Sequence, residues 1–172
     1  FAFGGSCLPK DVRALSYKAK TLDVSVPIID AILPSNREQI ERGIRTVMEK
    51  GSKKVGILGF SFKAGTDDLR ESPMVELVER LIGKGYDLRI YDSNVRMAAI
   101  HGANREYILE HIPHISRLMV DTMQEVLDHA GFRWLALDPV EAHFVAQLVR
   151  PTSAGAAIAA AGSDPAGAID GD

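Results

Sequence analysis

The chain has 172 residues, enough for one domain with a flanking element. It is 46% hydrophobic and 25% charged with a net charge of −3, a composition typical of a soluble globular protein. This charge does not favour a nucleic-acid or anionic-membrane partner, and no apolar run approaches a membrane span. The single cysteine excludes an internal disulfide, so we expect a reducing, cytoplasmic compartment. Because the chain begins at Phe1 and not at methionine, we interpret it as a fragment.

The first 50 residues predict two helices. Pro9 suits the first position of a helix over 9–22, and Pro27 opens a second helix that extends to about Lys50. Pro34 lies inside the second pattern and is expected to kink or split that helix. The apolar faces consist of Val12, Leu15, Ala19 and Leu22 in the first helix and of Ile28, Ile29, Ile32, Leu33, Ile40, Ile44 and Val47 in the second.

The next segment predicts a strand, a helix and another strand. Strands are expected over 54–60 and 88–92, with a helix over 72–84 between them. This spacing predicts a βαβ unit with parallel strands. Further helices are expected over 94–100 and 121–130, with a short one near Tyr107. We therefore predict an α/β fold, in which a helical segment precedes a partial doubly wound, Rossmann-like parallel sheet.

The sequence after Ala130 departs from this pattern. A doubly wound domain should continue with an apolar strand, but residues 131–150 lack a clean β-branched run. More than half of residues 151–172 are alanine or glycine, a composition typical of a linker. We interpret 131–172 as an atypical, disordered tail, and we expect a frameshift or a fused reading frame to explain it. Translating the encoding DNA in the other two frames tests this interpretation.

Cys7 is the first candidate for chemistry, within the segment Gly4-Gly-Ser-Cys-Leu-Pro-Lys-Asp11. It precedes a helix whose N-terminal N–H groups and dipole, together with Lys10, favour a thiolate. The two glycines allow the backbone to approach a ligand closely. Asp11 can orient or deprotonate a water that attacks a thioester. The residues alone leave two alternatives open, a buried structural cysteine and a carboxylate that only complements the helix dipole.

A second candidate is the loop Lys63-Ala-Gly-Thr-Asp-Asp-Leu-Arg70, which follows the first strand. Ligands of open α/β sheets bind at the carboxyl ends of strands, where this loop lies. Lys63 and Arg70 can hold phosphates or a carboxylate, and side chains of Thr66, Asp67 and Asp68 can order the loop. The alternative is a solvated turn in which the lysine and the arginine pair with the loop's own aspartates.

Two other patterns predict no site. Gly56 and Gly59 do not form the dinucleotide fingerprint G-x-G-x-x-G, so the first strand is not expected to bind NAD. The spacing of the histidines in the middle region matches no zinc set, and we predict no metal site from His101, His111, His114 and His129.

Together the two candidate segments resemble the UDP-glucose/GDP-mannose dehydrogenase family. GGSCLPKD is similar to that family's active-site segment, and SFKAGTDDLRESP is similar to the loop after the first strand of its C-terminal domain. The resemblance covers residues 1 to about 130, and Leu8 and the stretch HGANREYI look like the GDP-mannose branch. It implies that 1–50 end a central helical dimerisation domain and that 51–130 form an incomplete nucleotide-sugar-binding domain.

The resemblance also implies an activity. The family oxidises the C6 alcohol of a nucleotide sugar to a carboxylate in two NAD-dependent steps through a cysteine thioester. For the GDP-mannose branch the product is GDP-mannuronate, a precursor of alginate-type polysaccharide. The roles implied are nucleophile for Cys7, assistance to water for Asp11, NAD contacts for Lys10 and Arg70, and nucleotide-sugar contacts for Phe1, Gly4 and Lys63.

Three expectations complete this interpretation. The resemblance implies a homodimer or a higher homo-oligomer, and the family's NAD-binding N-terminal domain is missing from this sequence. The isolated chain is therefore expected to be inactive. The alternatives are a UDP-glucose 6-dehydrogenase and a non-catalytic module for nucleotide-sugar binding or dimerisation.

Overall fold

The structure, a computed structural model, describes residues 1–131 except Ala64 and Ala98, and the backbone of 134–138 and 143–147. Two helices come first, and an α/β arrangement follows them. In chain order the elements are α1 (Leu8–Thr21), α2 (Pro27–Glu49), β1 (Lys54–Leu58), α3 (Pro73–Gly83), β2 (Asp87–Tyr91), α4 (Gly102–His111), a 3₁₀ turn (Ile115–Arg117), α5 (Met123–Ala130), β3 (Trp134–Asp138) and β4 (His143–Gln147).

The four strands form one mixed sheet in the order β2-β1-β4-β3. Strands β1 and β2 are parallel, with Val55 opposite Leu88, as the βαβ spacing predicts. Strand β4 is antiparallel to both β1 and β3. The sequence predicted no strand after Ala130, so the antiparallel strands β3 and β4 are a correction to the prediction of a disordered tail. The rest of that prediction, over residues 132–133, 139–142 and 148–172, lies outside the described residues.

Helix α3 and strand β1 form the centre of the core. Ser72 caps α3 by accepting a hydrogen bond from the Met74 N–H, and Pro73 supplies the first helical position. One face of α3 is then fully buried against the sheet. On the other face of β1, a Cβ at Gly56 would lie 2.4 Å from Val126 Cγ1, so only glycine lets α5 pack this closely. The buried side chains of α3 and β1 are Met74, Val75, Leu77, Val78, Leu81, Val55, Ile57 and Leu58.

The predicted bounds of α1 and α2 are correct to within about one residue, but their apolar faces are only partly buried. Leu15, Leu22 and Ile28 are 53%, 60% and 80% exposed, because only the second half of α2 packs on the core. Pro34 does not split α2. Its position is exposed, so water can bond to the carbonyl that the proline leaves without a donor. Within the described residues, no helix is both long and apolar enough to cross a membrane.

The helix predicted over 94–100 does not form, and the described residues there adopt bends, turns and irregular backbone. The two carboxylate oxygens of Asp92 accept hydrogen bonds from different segments. Oδ1 accepts hydrogen bonds from the Asn94 and Val95 N–H groups, whereas Oδ2 accepts from those of Phe60 and Ser61. Asp92 therefore ties the chain after β2 to the chain after β1. The short helix expected near Tyr107 is the ten-residue α4.

Candidate active site

An open cleft of about 850 Å³ lies between the N-terminal segment, the first half of α2 and the loop after β1. It contains four of the seven residues to which the sequence assigned roles, namely Phe1, Gly4, Cys7 and Lys63. Lys63 is far from the other three in the sequence, so the fold has brought the two candidate segments together. The other residues lining the cleft are Ala2, Phe3, Gly5, Ser6, Leu8, Ile32, Ser35, Asn36, Gln39 and Phe62.

Helix α2 holds the N-terminal segment in an extended path. The Phe3 N–H donates to Asn36 Oδ1, and Asn36 Nδ2 donates to the Phe3 carbonyl, both at 2.8 Å. The ring of Phe1 covers Gly43, where a Cβ would lie 2.6 Å from the ring. Asn36 was missed by sequence reasoning. Its signal was a polar residue in line with the buried stripe of α2, one turn before Ile40.

The two glycines join the N-terminal segment to the loop. A Cβ at Gly4 would lie 2.1 Å from the carbonyl oxygen of Glu71, which no side chain can accommodate. Gly5 has a φ of 87° and donates its N–H to the Arg70 carbonyl at 3.1 Å. A Cβ at Gly5 would also collide with the ring of Phe62. The glycines therefore permit a close contact between two backbones, as well as any approach to a ligand.

Cys7 is the N-cap residue of α1, and its side chain is exposed. Its carbonyl accepts the first helical hydrogen bond, from the Asp11 N–H at 2.9 Å, and its sulfur lies 3.9 Å from the Ser6 hydroxyl. The alternative of a buried structural cysteine is therefore wrong. Cys7 therefore stands at the N-terminal end of α1, where the helix dipole is positive.

Lys10 and Asp11 do not line the cleft. Their side chains are 66% and 68% exposed and form an ion pair with a distance of 3.4 Å between Lys10 Nζ and Asp11 Oδ1. Both lie in the first turn of α1, directly after the cysteine. The structure thus brings them next to Cys7 along the helix but does not bring the Asp11 carboxylate into the cleft.

The two cations of the loop have different surroundings. Arg70 binds Asp68 through Nε and Nη2, each 2.9 Å from a carboxylate oxygen, as the alternative interpretation of the loop expected. Hydrogen bonding to Asp68 and its charge raise the pKa of Arg70, and the charge of Cys7 adds to this effect. Lys63 lies 5.4 Å from the centre of the Phe62 ring and has no carboxylate partner in the described part of the chain. Its ammonium group is therefore available to an anionic ligand.

One side chain from α4 and two from the loop itself fix the shape of the loop. Asn104 accepts a hydrogen bond from the Leu69 N–H and donates to the Asp67 carbonyl, both at 2.8 Å. Within the loop, Thr66 Oγ1 accepts from the Asp68 N–H, and Asp68 Oδ1 accepts from the Arg70 N–H. The predicted ordering by Thr66 and Asp68 is confirmed. Asn104 was missed, because nothing in its local pattern points to a loop 35 positions away.

Comparison with known proteins decides the family. The model of the "UDP-glucose/GDP-mannose dehydrogenase family, UDP binding domain" matches residues 56–154, which is more than half of the chain. The chain belongs to the UDP-glucose/GDP-mannose dehydrogenase family. The model of the same family's central domain matches residues 1–38 and so includes Cys7. The match to the UDP-binding domain continues past Ala130, where the sequence resemblance was expected to stop.

Three relatives within this dehydrogenase family are informative. GDP-mannose 6-dehydrogenase from Pseudomonas putida is 52% identical over 89% of this chain, which spans 38% of that protein. The crystal structure of a ternary complex of GDP-mannose dehydrogenase from Pseudomonas aeruginosa is 57% identical, with a TM-score of 0.69 over 75% of this chain and 30% of that one. UDP-glucose 6-dehydrogenase from Rickettsia bellii is 37% identical over 52% of this chain and 22% of its own length. The chain therefore spans about a third of the first two relatives.

Proposed function

We propose that this chain is the cysteine-bearing and nucleotide-sugar-binding part of a GDP-mannose 6-dehydrogenase, which forms GDP-mannuronate for an alginate-type polysaccharide. The observation that carries the proposal is the shared cleft, which is lined by the exposed Cys7 and by Lys63, a cation with no carboxylate partner among the described residues. A nucleophile and a phosphate-binding cation are both needed to act on the sugar of a nucleotide sugar. The higher identity to the GDP-mannose enzyme than to the UDP-glucose enzyme supports the choice of substrate.

The residues of the chain divide the proposed chemistry between them. Lys63 binds the diphosphate, and Phe1 and Gly4 contact the remainder of the nucleotide sugar. The Cys7 thiolate adds to the C6 aldehyde that the first oxidation yields, and the resulting thiohemiacetal is oxidised to a thioester. Water then attacks the thioester carbon, the thiolate leaves, and the product is a carboxylate. We assign to Asp11, one helical turn from Cys7, the acceptance of a proton from that water, for which its carboxylate must turn from Lys10 toward the cleft.

The residues assigned to NAD fit an anionic cofactor. Lys10 is largely exposed, and Arg70 uses Nε and Nη2 for Asp68, which leaves Nη1 without a partner among the described residues. Lys10 lies in the first turn of α1 directly after Cys7, and the Arg70 backbone is bonded to Gly5, so both cations would hold NAD through its phosphates near the segment of Cys7. When bound, NAD supplies the hydride acceptor for each of the two oxidations.

A chimera tests the proposal. Residues 1–130 of this chain replace the matching segment of the Pseudomonas putida relative, and NADH formation is measured with GDP-mannose and with UDP-glucose. We expect two NADH per GDP-mannose and no acid from a Cys7→Ser chimera, because a serine alkoxide is not available near neutral pH and cannot form a thioester. Four-electron turnover by the serine variant would refute the role of Cys7. Preference for UDP-glucose would favour the second candidate, and binding without turnover would favour a binding module.

We also propose a cytoplasmic homodimer or higher homo-oligomer. The support is the apolar surface on α1 and at the start of α2, where Leu15, Tyr17, Leu22 and Ile28 are more than half exposed. Such a patch is typical of a protein–protein interface. Light scattering on the purified chimera gives its mass, and a monomer at micromolar concentration would contradict this assignment.

A further inference from the structure

A bidentate ion pair links α1, which Cys7 caps, to the loop that contains Lys63 and Arg70. Arg13 Nη1 donates to Glu71 Oε2 at 3.0 Å, and Nη2 donates to Oε1 at 2.6 Å. Arg13 lies on α1, and Glu71 directly follows Arg70. The pair therefore connects the two segments from which the cleft is built, although they are 58 positions apart in sequence.

The backbone of Glu71 is held in an unusual conformation. Its φ is 51°, in the left-handed region that residues other than glycine rarely adopt. Its carbonyl packs against Gly4, and its backbone is hydrogen-bonded to Tyr107 of α4. Strain of this kind persists where several contacts fix it, and it is concentrated at functional sites. Contacts from α1, α4 and the N-terminal segment converge on this one residue.

Stability does not explain the ion pair. The side chains of Arg13 and Glu71 are 52% and 38% exposed, and a pair with this exposure contributes little to the folded state. Its geometry is nevertheless specific, because a guanidinium fork on a carboxylate fixes orientation as well as distance. We therefore expect the ion pair to affect the position of the loop more than the free energy of unfolding.

We propose that Arg13 and Glu71 are positioning residues, which hold the loop of Arg70 against the segment of Cys7, to which the hydrogen bond from the Gly5 N–H to the Arg70 carbonyl also joins it. This inference rests on the proposed function, in which Cys7 is the nucleophile. Arg70 is anchored by Asp68 on its own loop, so a loop that moves away from α1 takes the cation with it. The thiolate then loses its neighbouring positive charge and reacts more slowly.

The test measures the alkylation of Cys7 by iodoacetamide in the 172-residue chain, where it is the only cysteine. The Arg13→Gln variant frees the Glu71 carboxylate. The double variant Arg13→Gln/Glu71→Gln removes both charges and leaves the net charge unchanged. We expect both to react at least about threefold more slowly than the parent, since the double variant still loses the clamp. A parental rate in the double variant would overturn the proposal.

A matched control exists in the same chain. Arg80 and Glu41 form another bidentate ion pair, which joins α3 to α2 away from the cleft. The double variant Arg80→Gln/Glu41→Gln should alkylate at the parental rate, and an equal slowing in it would mean that the effect is general loosening. If the Arg13/Glu71 double variant does not fold, Arg13→Lys, which keeps the charge without the fork, replaces it. Slower alkylation of that variant supports the proposal, and a parental rate overturns it.

The alkylation rate does not depend on sugar oxidation. An inactive chimera with slowed alkylation of the variants would defeat the proposed function and leave the positioning intact. An active chimera together with parental alkylation rates in the variants would support the proposed function and overturn the positioning role.

Discussion

Replacing Gly4 by alanine tests the contact on which the site depends. The added Cβ would lie 2.1 Å from the Glu71 carbonyl oxygen and 2.9 Å from Pro73 Cδ. Neither neighbour can move alone, because Glu71 and Pro73 flank the cap residue of α3. Overpacking of this kind costs about 1–3 kcal/mol. Moving the segment also breaks the hydrogen bond from the Gly5 N–H to the Arg70 carbonyl, which contributes roughly 0.5–1.5 kcal/mol.

We therefore expect Gly4→Ala to lower the free energy of unfolding by about 2–4 kcal/mol. Urea unfolding followed by circular dichroism measures this change, and the melting temperature should fall by roughly 4–16 °C. Gly83→Ala is the matched control, because a Cβ at Gly83 meets nothing within 4 Å. It should be neutral or stabilise the chain by at most about 1 kcal/mol. If Gly4→Ala unfolds at the urea concentration of the parent, the two backbones are not in contact.

Three further predictions concern the loop after β1. Lys63→Ala should raise the KM for the nucleotide sugar in the chimera, and Arg70→Ala should mainly raise the KM for NAD, each by roughly tenfold or more for a lost charged hydrogen bond; unchanged constants in both variants would mean a solvated turn. Burial disfavours the Asp68 carboxylate, but hydrogen bonds from Arg70 outweigh burial and hold its pKa below the ordinary value. The ionised Asp68 carboxylate therefore stabilises the fold above about pH 4, and this stabilisation is lost as the pH falls through the lowered pKa. We expect Asp68→Asn to flatten this part of the curve of unfolding free energy against pH. The Leu69 N–H donates to the Asn104 side-chain oxygen, so Asn104→Ala should increase amide hydrogen exchange at Leu69. Unchanged exchange would mean that this hydrogen bond does not hold the loop.

Local patterns were sufficient to predict most elements of the fold. Helix starts at Pro9, Pro27 and Ser72 follow from capping and from proline at the first turn, and the structure has them within a residue or two. The parallel pairing of β1 and β2 followed from their spacing. The strands after Ala130 did not, because antiparallel pairing with β1 is a long-range contact and the strand sequences carry no clean β-branched run.

The candidate site shows the same division. The cysteine motif and the loop motif could be found in the sequence because each is a local pattern. Their contact could not, since it depends on the absence of a Cβ at Gly4 and on the strained backbone of Glu71. Asn104 was missed for a related reason, because an amide side chain that binds a distant backbone has no local signature, whereas Asn36 left only the signal of a polar residue in line with the apolar stripe of α2.

Helix α2 gives a physical reason why these two segments meet in one place. Its middle residue Asn36 binds the backbone of Phe3, while Ile40, Ile44 and Val47 further along the same helix are buried in the core of the α/β unit. The matches to the two family domains end at residue 38 and begin at residue 56, so α2 spans the boundary between them. A continuous helix transmits a fixed distance and rotation from one domain to the other. The position of Cys7 relative to Lys63 is therefore set by α2 and is then adjusted by the close contact at Gly4 and the ion pair between Arg13 and Glu71.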